Sequence, residues 1–415
     1  MKKIMMICAI LCIGLLSTTT AQVGFDPAAG CVTDANGQCV PNTILTAVPF
    51  LRIVPDARAG SMGDTGIAVS PDATSVHFNT AKLAFTEENV GLGVTYTPWL
   101  RNLGLNDVYN AYLSGFRKVD DLQTVGFGFK FFSLGSIEFT DANGNLIGGG
   151  SPREIEFSAA YARKLSSNFS TGLTAKYIYS NLASGQVVNG IEIVSANAFA
   201  ADISFDYRKE TSLGANGGLW NFGLVLSNIG SKVSYTGGTV KDFLPGNLGI
   251  GGSLQLNLDE YNTITFAMDI NKLLVPSPIS PLIKDADGNL TTNPDYDSNN
   301  NGVADFREAG LFSGVFGSFN DAQGGFSEEL REFTTSFGVE YWYDKQFAVR
   351  AGYYREHELK GDRKFLTVGV GIKYNIFGLN LSYLAPTNNR RNPLDNTLRF
   401  SVLFDFAAAD SASNN

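Results

Sequence analysis

Long segments in which apolar and polar residues alternate place the tightest constraint on the fold of this chain. In residues 263–271 one face is apolar from Ile264 to Ile270, and the opposite face carries Thr265 and Asp269. Because successive side chains of a strand point to opposite faces, this period of two predicts β-strands. A soluble β-sandwich shows the same alternation, so the period alone does not distinguish a sandwich from a membrane barrel.

The lengths of these segments and of their connections favour the barrel. Many runs reach about ten residues, whereas soluble strands cluster near five or six and a tilted membrane strand needs about nine to eleven. About fourteen such strands follow residue 90, and the longest connection is 272–332. The tight connections that alternate with long ones are 165–167, 259–260, 344–345 and 375–376. The sequence therefore predicts an all-β protein, a transmembrane outer-membrane β-barrel of about 14 antiparallel strands with an N-terminal plug segment.

The first 21 residues predict export from the cytoplasm. Lysines at positions 2 and 3 precede an apolar run from Ile4 to Leu16, and small residues end at Ala21, which is the pattern of a signal peptide. The apolar run is too short to span a bilayer as a helix. We therefore expect residues 1–21 to be removed and the mature chain to begin at Gln22.

The mature chain is expected to divide into four parts. They are an N-terminal tail at 22–46, a plug segment at 47–89, the barrel at 90–406 and a polar tail at 407–415. The N-terminal tail contains Cys31 and Cys39. In an exported protein a close pair is more often a disulfide than a metal site, and we predict a disulfide. An even strand number predicts that both termini are periplasmic and that the long loops are outside.

Residues 47–89 are too rich in small and charged residues to form a core of their own. Alanine, glycine and serine are frequent between Ala57 and Ala68, so backbone can pack close to backbone, and no helical or strand period persists. The segment could be a surface loop. The long strands that follow it favour a plug folded into the polar lumen of a barrel. The predicted plug residues are Arg58, Gly60, Met62, Gly63, Asp64, Gly66, Asp72 and Asn79.

The same segment carries a resemblance to a known family. Residues 61–73 read SMGDTGIAVSPDA and residues 77–85 read HFNTAKLAF, which resembles the N-terminal segment of FadL-like outer-membrane barrels. The upstream sequence PFLRIVPDARAG, at 49–60, is more similar to the PorV (LptO) family of the Bacteroidetes type IX secretion system than to fatty-acid transporters. The resemblance extends through most of the barrel. It implies a protein of the outer membrane of a Gram-negative, Bacteroidetes-like cell.

The resemblance implies two alternative functions. Members of the PorV family are non-enzymatic: they bind the C-terminal signal domain of translocated cargo, cap the lateral opening of the translocon barrel (SprA, also called Sov) and carry cargo to the attachment complex that contains the sortase PorU. The fatty-acid branch instead transports hydrophobic small molecules, which requires an apolar pocket above the plug. A shared fold does not choose between these functions. Segment 49–60 and the long connection 272–332 favour secretion.

Neither enzymatic chemistry nor nucleic-acid binding is indicated by the residues. The 415-residue chain has a formal net charge of −9 and shows no basic patch. Its two histidines, His77 and His357, have no Ser or Cys nucleophile in a recognisable setting. We expect His77 to form hydrogen bonds between plug and wall rather than to bind a ligand.

One loop motif indicates a metal site. Residues 297–308 read DSNNNGVADFRE and fit the calcium-loop pattern D-x-[DN]-x-[DN]-G-x5-E. The predicted ligands are the side chains of Asp297, Asn299, Asn301, Asp305 and Glu308 and the carbonyl of Val303. Acidic loops rich in asparagine are common on exported proteins, so a merely hydrated loop is the alternative. The sequence predicts a Ca²⁺ site in an external loop and no other cofactor.

Overall fold

The chain forms one closed β-barrel with a segment folded inside it. The computed structural model describes residues 23–406 except 102–103, 141–142, 145, 189, 215, 239 and 388–396. The predicted signal peptide and the polar tail at 407–415 lie outside the described residues. Among the residues that are described, no helix has the length and apolar character needed to cross a membrane.

Fourteen strands close the barrel, as the sequence predicts, and each pairs antiparallel with its neighbours. In chain order, the strands of the described residues are β1 (Gly24–Asp26), β2 (Cys31–Thr33), β3 (Val90–Pro98), β4 (Val108–Lys118), β5 (Gln123–Leu134), β6 (Ile137–Thr140), β7 (Leu146–Gly150), β8 (Arg153–Lys164), β9 (Phe169–Asn181), β10 (Val187–Val188), β11 (Ile191–Glu192), β12 (Ala196–Thr211), β13 (Gly218–Gly230), β14 (Asn247–Asn257), β15 (Asn262–Leu273), β16 (Leu282–Lys284), β17 (Leu290–Thr292), β18 (Thr334–Tyr343), β19 (Phe347–Arg355), β20 (Lys364–Tyr374), β21 (Phe377–Pro386) and β22 (Leu398–Phe406). The wall comprises β3–β5, β8, β9, β12–β15 and β18–β22, and it closes where β22 pairs with β3.

The helices are short and lie outside the wall strands in sequence. They are α1 (Ala57–Gly60), α2 (Ser75–Phe78), α3 (Asp305–Glu308), α4 (Leu311–Gly317) and α5 (Phe326–Arg331). Turns of 3₁₀ helix occupy Pro49–Arg52, Thr80–Phe85 and Glu358–Lys360. The first two helices belong to the segment inside the barrel, and the last three belong to the connection between β15 and β18.

The two faces of the wall differ as the alternation predicts. On β15, Phe266 points outward and is 47% exposed, whereas Thr265 and Asp269 are buried in the lumen. Large apolar side chains remain exposed on the outer face of the other wall strands as well. An apolar outer face around a polar interior suits a barrel surrounded by lipid, because only the outward residues meet the hydrocarbon.

The path of the N-terminal segment corrects one expectation. Val90 and Phe406 pair at the rim that carries the tight turns, here called the turn rim. Residues 47–89 run through the lumen from the opposite rim, here called the loop rim, where Ala47 N–H donates to the Phe243 carbonyl. As a result, β1 pairs with β16 in the long connection at the loop rim. The described N-terminal residues and the end of β22 therefore lie at opposite rims, contrary to the expectation that both termini share the periplasmic side.

The outward register generates a depth-dependent prediction. Phe266→Arg places a charge near the middle of the apolar band and should destabilise the barrel folded in a bilayer by about 2–4 kcal/mol. Tyr374 also points outward but lies at the turn rim and is 77% exposed, so Tyr374→Arg should cost only about 0–1 kcal/mol. Urea titration of folding into liposomes measures both values. Equal costs would contradict the assigned register and depth.

Candidate functional site

Residues 47–89, here called the plug, occupy the lumen in layers. At the loop rim an apolar layer contains Val48, Phe50, Leu51, Trp99, Phe132 and Ile178. At the turn rim a second apolar layer contains Ala73, Val76, Leu83, Ala84 and Phe116. Charged side chains of plug and wall meet between these layers. The apolar residues of the plug thus pack against apolar residues of the wall, which explains how a segment with so few large apolar residues can be buried.

Arg58 on α1 is the central contact of the charged layer. Its Nε and Nη2 donate to the two carboxylate oxygens of Glu340 on β18, at 2.9 and 2.7 Å. Its Nη1 donates to Asp72 Oδ2 at 3.0 Å, so the guanidinium joins two parts of the plug to the wall. Arg350 on β19 donates to Glu340 Oε2 at 2.6 Å. Two arginines therefore face two carboxylates, which compensates charges that are almost fully removed from water.

A second set of contacts fixes the middle of the plug. Asp64 accepts a hydrogen bond from Arg399 Nη1 on β22 at 2.9 Å. Backbone N–H groups of Gly66 and Ile67 donate to Asp269 Oδ2 on β15, at 2.7 and 3.0 Å. Two neighbouring strands, β15 and β18, and the more distant β22 thus each provide a charged side chain to the plug. Together they determine its rotation about the barrel axis.

Small residues allow the plug to touch the wall backbone. A Cβ at Gly63 would lie 2.6 Å from the backbone N and O of Tyr353, and Gly63 also has a positive φ of 67°. A Cβ at Gly60 would lie 2.1 Å from Arg399 Nη1. Met62 between them is fully buried and packs with Val69. Glycine is required at 63 both for its backbone conformation and for the space.

Asn79 connects the end of the plug to itself and to the wall. Its Nδ2 donates to the carbonyls of Ile67 and Phe205, at 3.0 and 3.2 Å, and its Oδ1 accepts from Ala81 N–H. His77 makes edge-on ring contacts with Phe78 and with a wall tyrosine instead of the expected hydrogen bonds. All eight predicted plug residues lie in the lumen or at its charged layer, and these contacts give each a structural role.

The wall residues that hold the plug were not predicted from the sequence. Glu340, Arg350 and Arg399 are charged, lie within long strands and are at most 4% exposed. A signal for them exists in the alternation, because a charged residue at an inward position of a membrane strand needs a partner in the lumen.

Gly63 provides a test of the close contact between plug and wall. Gly63→Ala should destabilise the barrel by about 1–3 kcal/mol beyond the backbone strain, because the wall backbone leaves no space for a methyl group. Gly37→Ala is the matched control, since Gly37 has a φ of 75° and nothing within 4 Å of an added Cβ. Both variants share the backbone strain, so the difference between their urea midpoints isolates the steric effect. Identical midpoints would contradict the contact.

The connection between β15 and β18, residues 274–333, forms a folded platform at the loop rim. A buried ion cluster ties it to the barrel: Lys272 contacts Glu329 and Glu332 at 3.0 and 2.6 Å, and Lys360 contacts Glu328 and Glu332 at 2.6 and 3.0 Å. Burial raises the pKa of Asp321 beside this cluster to about 6. The cluster gives this long connection a fixed position.

The platform carries exposed aromatic side chains on two of its helices. Phe312 and Phe316 on α4 are 69% and 74% exposed, and Phe326 on α5 is 74% exposed. Helix α5 buries two charged residues, Glu328 and Glu329, and leaves the apolar Phe326 exposed. Exposed aromatic side chains grouped on a folded element are typical of interaction surfaces.

The calcium-loop motif lies on the platform, and α3 forms its last four residues. Asn299 Nδ2 and Asn301 Nδ2 donate to the two oxygens of Glu308 at 2.8 and 2.7 Å, and Asp297 Oδ1 accepts from Asn301 N–H at 3.0 Å. Four of the six predicted ligand residues thus face one another. Asp305 turns instead to Ser298, whose hydroxyl donates to it at 2.5 Å. Among the described residues, no three His, Cys, Asp or Glu side chains converge on one metal position.

The calcium-loop residues are braced by a neighbouring loop. Arg307 Nη2 contacts Asp242 Oδ1 at 2.7 Å, and Lys232 Nζ donates to the carbonyls of Arg307 and Ala309. Burial lowers the pKa of Lys232. The connection between β13 and β14 therefore holds the end of the motif in place.

The N-terminal tail lies across the platform. Cys31 and Cys39 form a disulfide with a Cα–Cα distance of 5.8 Å. β1 pairs in parallel with β16, and Lys284 Nζ contacts Asp26 Oδ2 at 2.8 Å; this hydrogen bond holds the pKa of Asp26 below its ordinary value. The disulfide thus closes a hairpin-like turn that is docked on the platform.

Comparisons with known proteins give one family. The family model described as "Type IX secretion system protein PorV" matches residues 36–280, more than half of the chain. No curated protein that was compared matches it. Among solved structures, the toluene transporter TbuX of Ralstonia pickettii shows 10% identity and a TM-score of 0.47, with 85% of this chain and 98% of that chain covered. A Pseudomonas aeruginosa FadL homologue shows 9% identity and a TM-score of 0.42, with 88% and 100% covered.

Proposed function

The chain belongs to the PorV family of type IX secretion system proteins, and we propose that it holds translocated cargo at the surface of the outer membrane without acting as an enzyme. The family match over residues 36–280 carries this proposal. The protein is an outer-membrane barrel, as its fold and apolar outer face indicate. The proposed ligand is the C-terminal signal domain of a secreted protein.

The platform is the proposed cargo-binding surface. It projects from the loop rim, which we place outside the cell because bacterial barrels carry their long loops there. Buried ion pairs fix its base, while Phe312, Phe316 and Phe326 remain uncovered. Truncating a central aromatic anchor of an interface often costs about 2 kcal/mol or more.

The proposed partners follow from the family. A translocon barrel of the SprA (Sov) type would deliver cargo through its lateral opening, which this protein would cap. A PorU-like sortase complex would receive the cargo for attachment. Both contacts are proposals that rest on family membership.

The alternative, transport of hydrophobic small molecules, has less support from the lumen. The charged layer around Arg58, Glu340 and Asp72 crosses the barrel between the two apolar layers. A hydrophobic solute that passed along the axis would have to displace these buried ion pairs, which is costly.

Loss and complementation of the gene test the proposal. A null strain should retain type IX cargo inside the cell, and the wild-type chain should restore secretion. The purified double variant Phe312→Ser, Phe316→Ser should bind the purified signal domain at least about tenfold more weakly than the wild-type protein does. Leu146→Ser is the control, since Leu146 is also exposed at the loop rim but lies on the β6–β7 hairpin. Normal secretion by the null strain combined with failed uptake of a hydrophobic compound would support the transporter instead.

We further propose that residues 297–308 bind Ca²⁺. Asp297, Asn299, Asn301 and Glu308 already face one another, and rotating an asparagine amide by about 180° exchanges its nitrogen and oxygen. The ion would be completed by the Val303 carbonyl and by Asp305 directly or through water. External millimolar calcium would fill even a weak site of this kind.

Calorimetry with CaCl₂ on the detergent-solubilised protein tests the calcium site. Glu308→Gln removes a full charge and the bidentate ligand, so affinity should fall at least about tenfold. Asp287→Asn removes the same charge from an exposed turn of the same platform and should leave the affinity unchanged. Absence of calcium heat at millimolar concentration, or equal affinity of both variants, would show that the loop is only hydrated.

A further inference from the structure

Two adjoining chambers lead from the loop rim into the lumen beside the plug. The outer chamber has a volume of about 350 Å³ and is bordered by Thr43–Thr46 of the N-terminal tail. The inner chamber has a volume of about 120 Å³ and reaches Asp269 and Asn247 on the wall. Both chambers are lined by Arg52, Arg363 and Thr334, so these three residues form the neck between them.

Arg52 differs from the other cations of the chambers. Arg363 is paired with Glu356, to which its Nε and Nη2 donate at 2.9 and 3.0 Å. Lys360 in the outer chamber contacts Glu328 and Glu332, and Lys176 in the inner chamber contacts Asp202 at 2.8 Å. Arg52 forms no ion pair with any carboxylate of the described residues.

The surroundings of Arg52 leave its charge uncompensated. The ionisable groups that act on it are Tyr354, Arg363 and Glu356, and the Tyr354 hydroxyl accepts a hydrogen bond from Arg363 Nη2 at 3.1 Å. Glu356 is already engaged at both oxygens by Arg363. A guanidinium in a partly enclosed space is stabilised strongly by a carboxylate that accepts two parallel hydrogen bonds.

Two residues of the inner chamber, Asp269 and Asn247, each have an acceptor oxygen without a hydrogen-bond partner. Asp269 is 1% exposed, and its Oδ2 accepts from the backbone of the plug, but its Oδ1 has no hydrogen-bond partner. Asn247 Oδ1 in the same chamber also has none. Both oxygens are buried behind the chamber surface, so they make the wall at this end of the chamber polar.

We propose that the two chambers bind a ligand that ends in a carboxylate, with Arg52 in the neck as its counter-ion. Two sources have this chemistry, the main-chain carboxylate at the end of a cargo protein and a free fatty acid. The first source rests on the proposed function.

The test uses the full chain in lipid nanodiscs and three probes. They are a short synthetic peptide that copies the end of a cargo signal domain, the same peptide with an amidated C-terminus, and dodecanoate. The free-acid peptide should bind at least about tenfold more tightly than the amide, since a hydrogen-bonded charge pair is lost in the amide. This acid-to-amide ratio is measured on the wild-type protein and does not depend on a variant folding correctly.

Variants then assign the effect to Arg52. Arg52→Gln should abolish the preference for the free acid, and Arg52→Lys should retain part of it. Lys345→Gln, which removes one positive charge from a tight turn at the turn rim, should retain all of it.

The outcomes distinguish the two ligand sources, and they test the carboxylate site separately from the proposed function. Arg52-dependent binding of the free-acid peptide identifies a cargo terminus as the ligand, and Arg52-dependent binding of dodecanoate with equal binding of both peptides identifies a fatty acid. If no probe depends on Arg52, the carboxylate site is wrong. The proposal that the protein holds cargo is tested by a separate measurement. It fails only if the wild-type protein does not capture an intact signal domain.

Discussion

The pairing of Arg58 with Glu340 joins plug to wall, and the order of the lumen depends on it. Both side chains are removed from water, so each would cost several kcal/mol without the other. Asp72 and Arg350 extend the pair into a balanced group of two positive and two negative charges. Because such a group tolerates little displacement, the plug has one position in the barrel. The apolar layers at the loop rim and the turn rim pack around the plug in that position.

The wall was predictable because its pattern is local. Lipid on one side and a polar lumen on the other force alternate residues to differ, as Phe266 and Thr265 do. The membrane also requires long strands, and strand length separates a barrel from a sandwich. The predicted number of strands is confirmed by the closed barrel. The family, suggested by residues 49–85, is confirmed by a match that extends from residue 36 to residue 280.

The partners of the plug could not be predicted, because they are distant in sequence. Arg58 and Glu340 are separated by 282 positions, and no local period relates them. The calcium loop shows a different limit. Its spacing specifies which residues can meet, but not that Asp305 turns to Ser298. The direction of the plug through the lumen could not be predicted from the number of strands either, since an even number fixes only the rim at which the wall begins and ends.

This direction has a mechanical consequence. Because the chain enters the lumen from the loop rim, the tail that lies on the platform continues directly into the plug. Asn42 binds the platform through the Pro278 carbonyl at 3.0 Å, and ten residues further along the chain Arg52 lines the neck between the chambers. The wall is closed by continuous strand pairing and resists deformation, whereas residues 41–46 cross the loop rim outside any helix or strand. The platform is therefore joined to the neck in two ways, through the tail to Arg52 and directly through Thr334, which follows the platform in the chain.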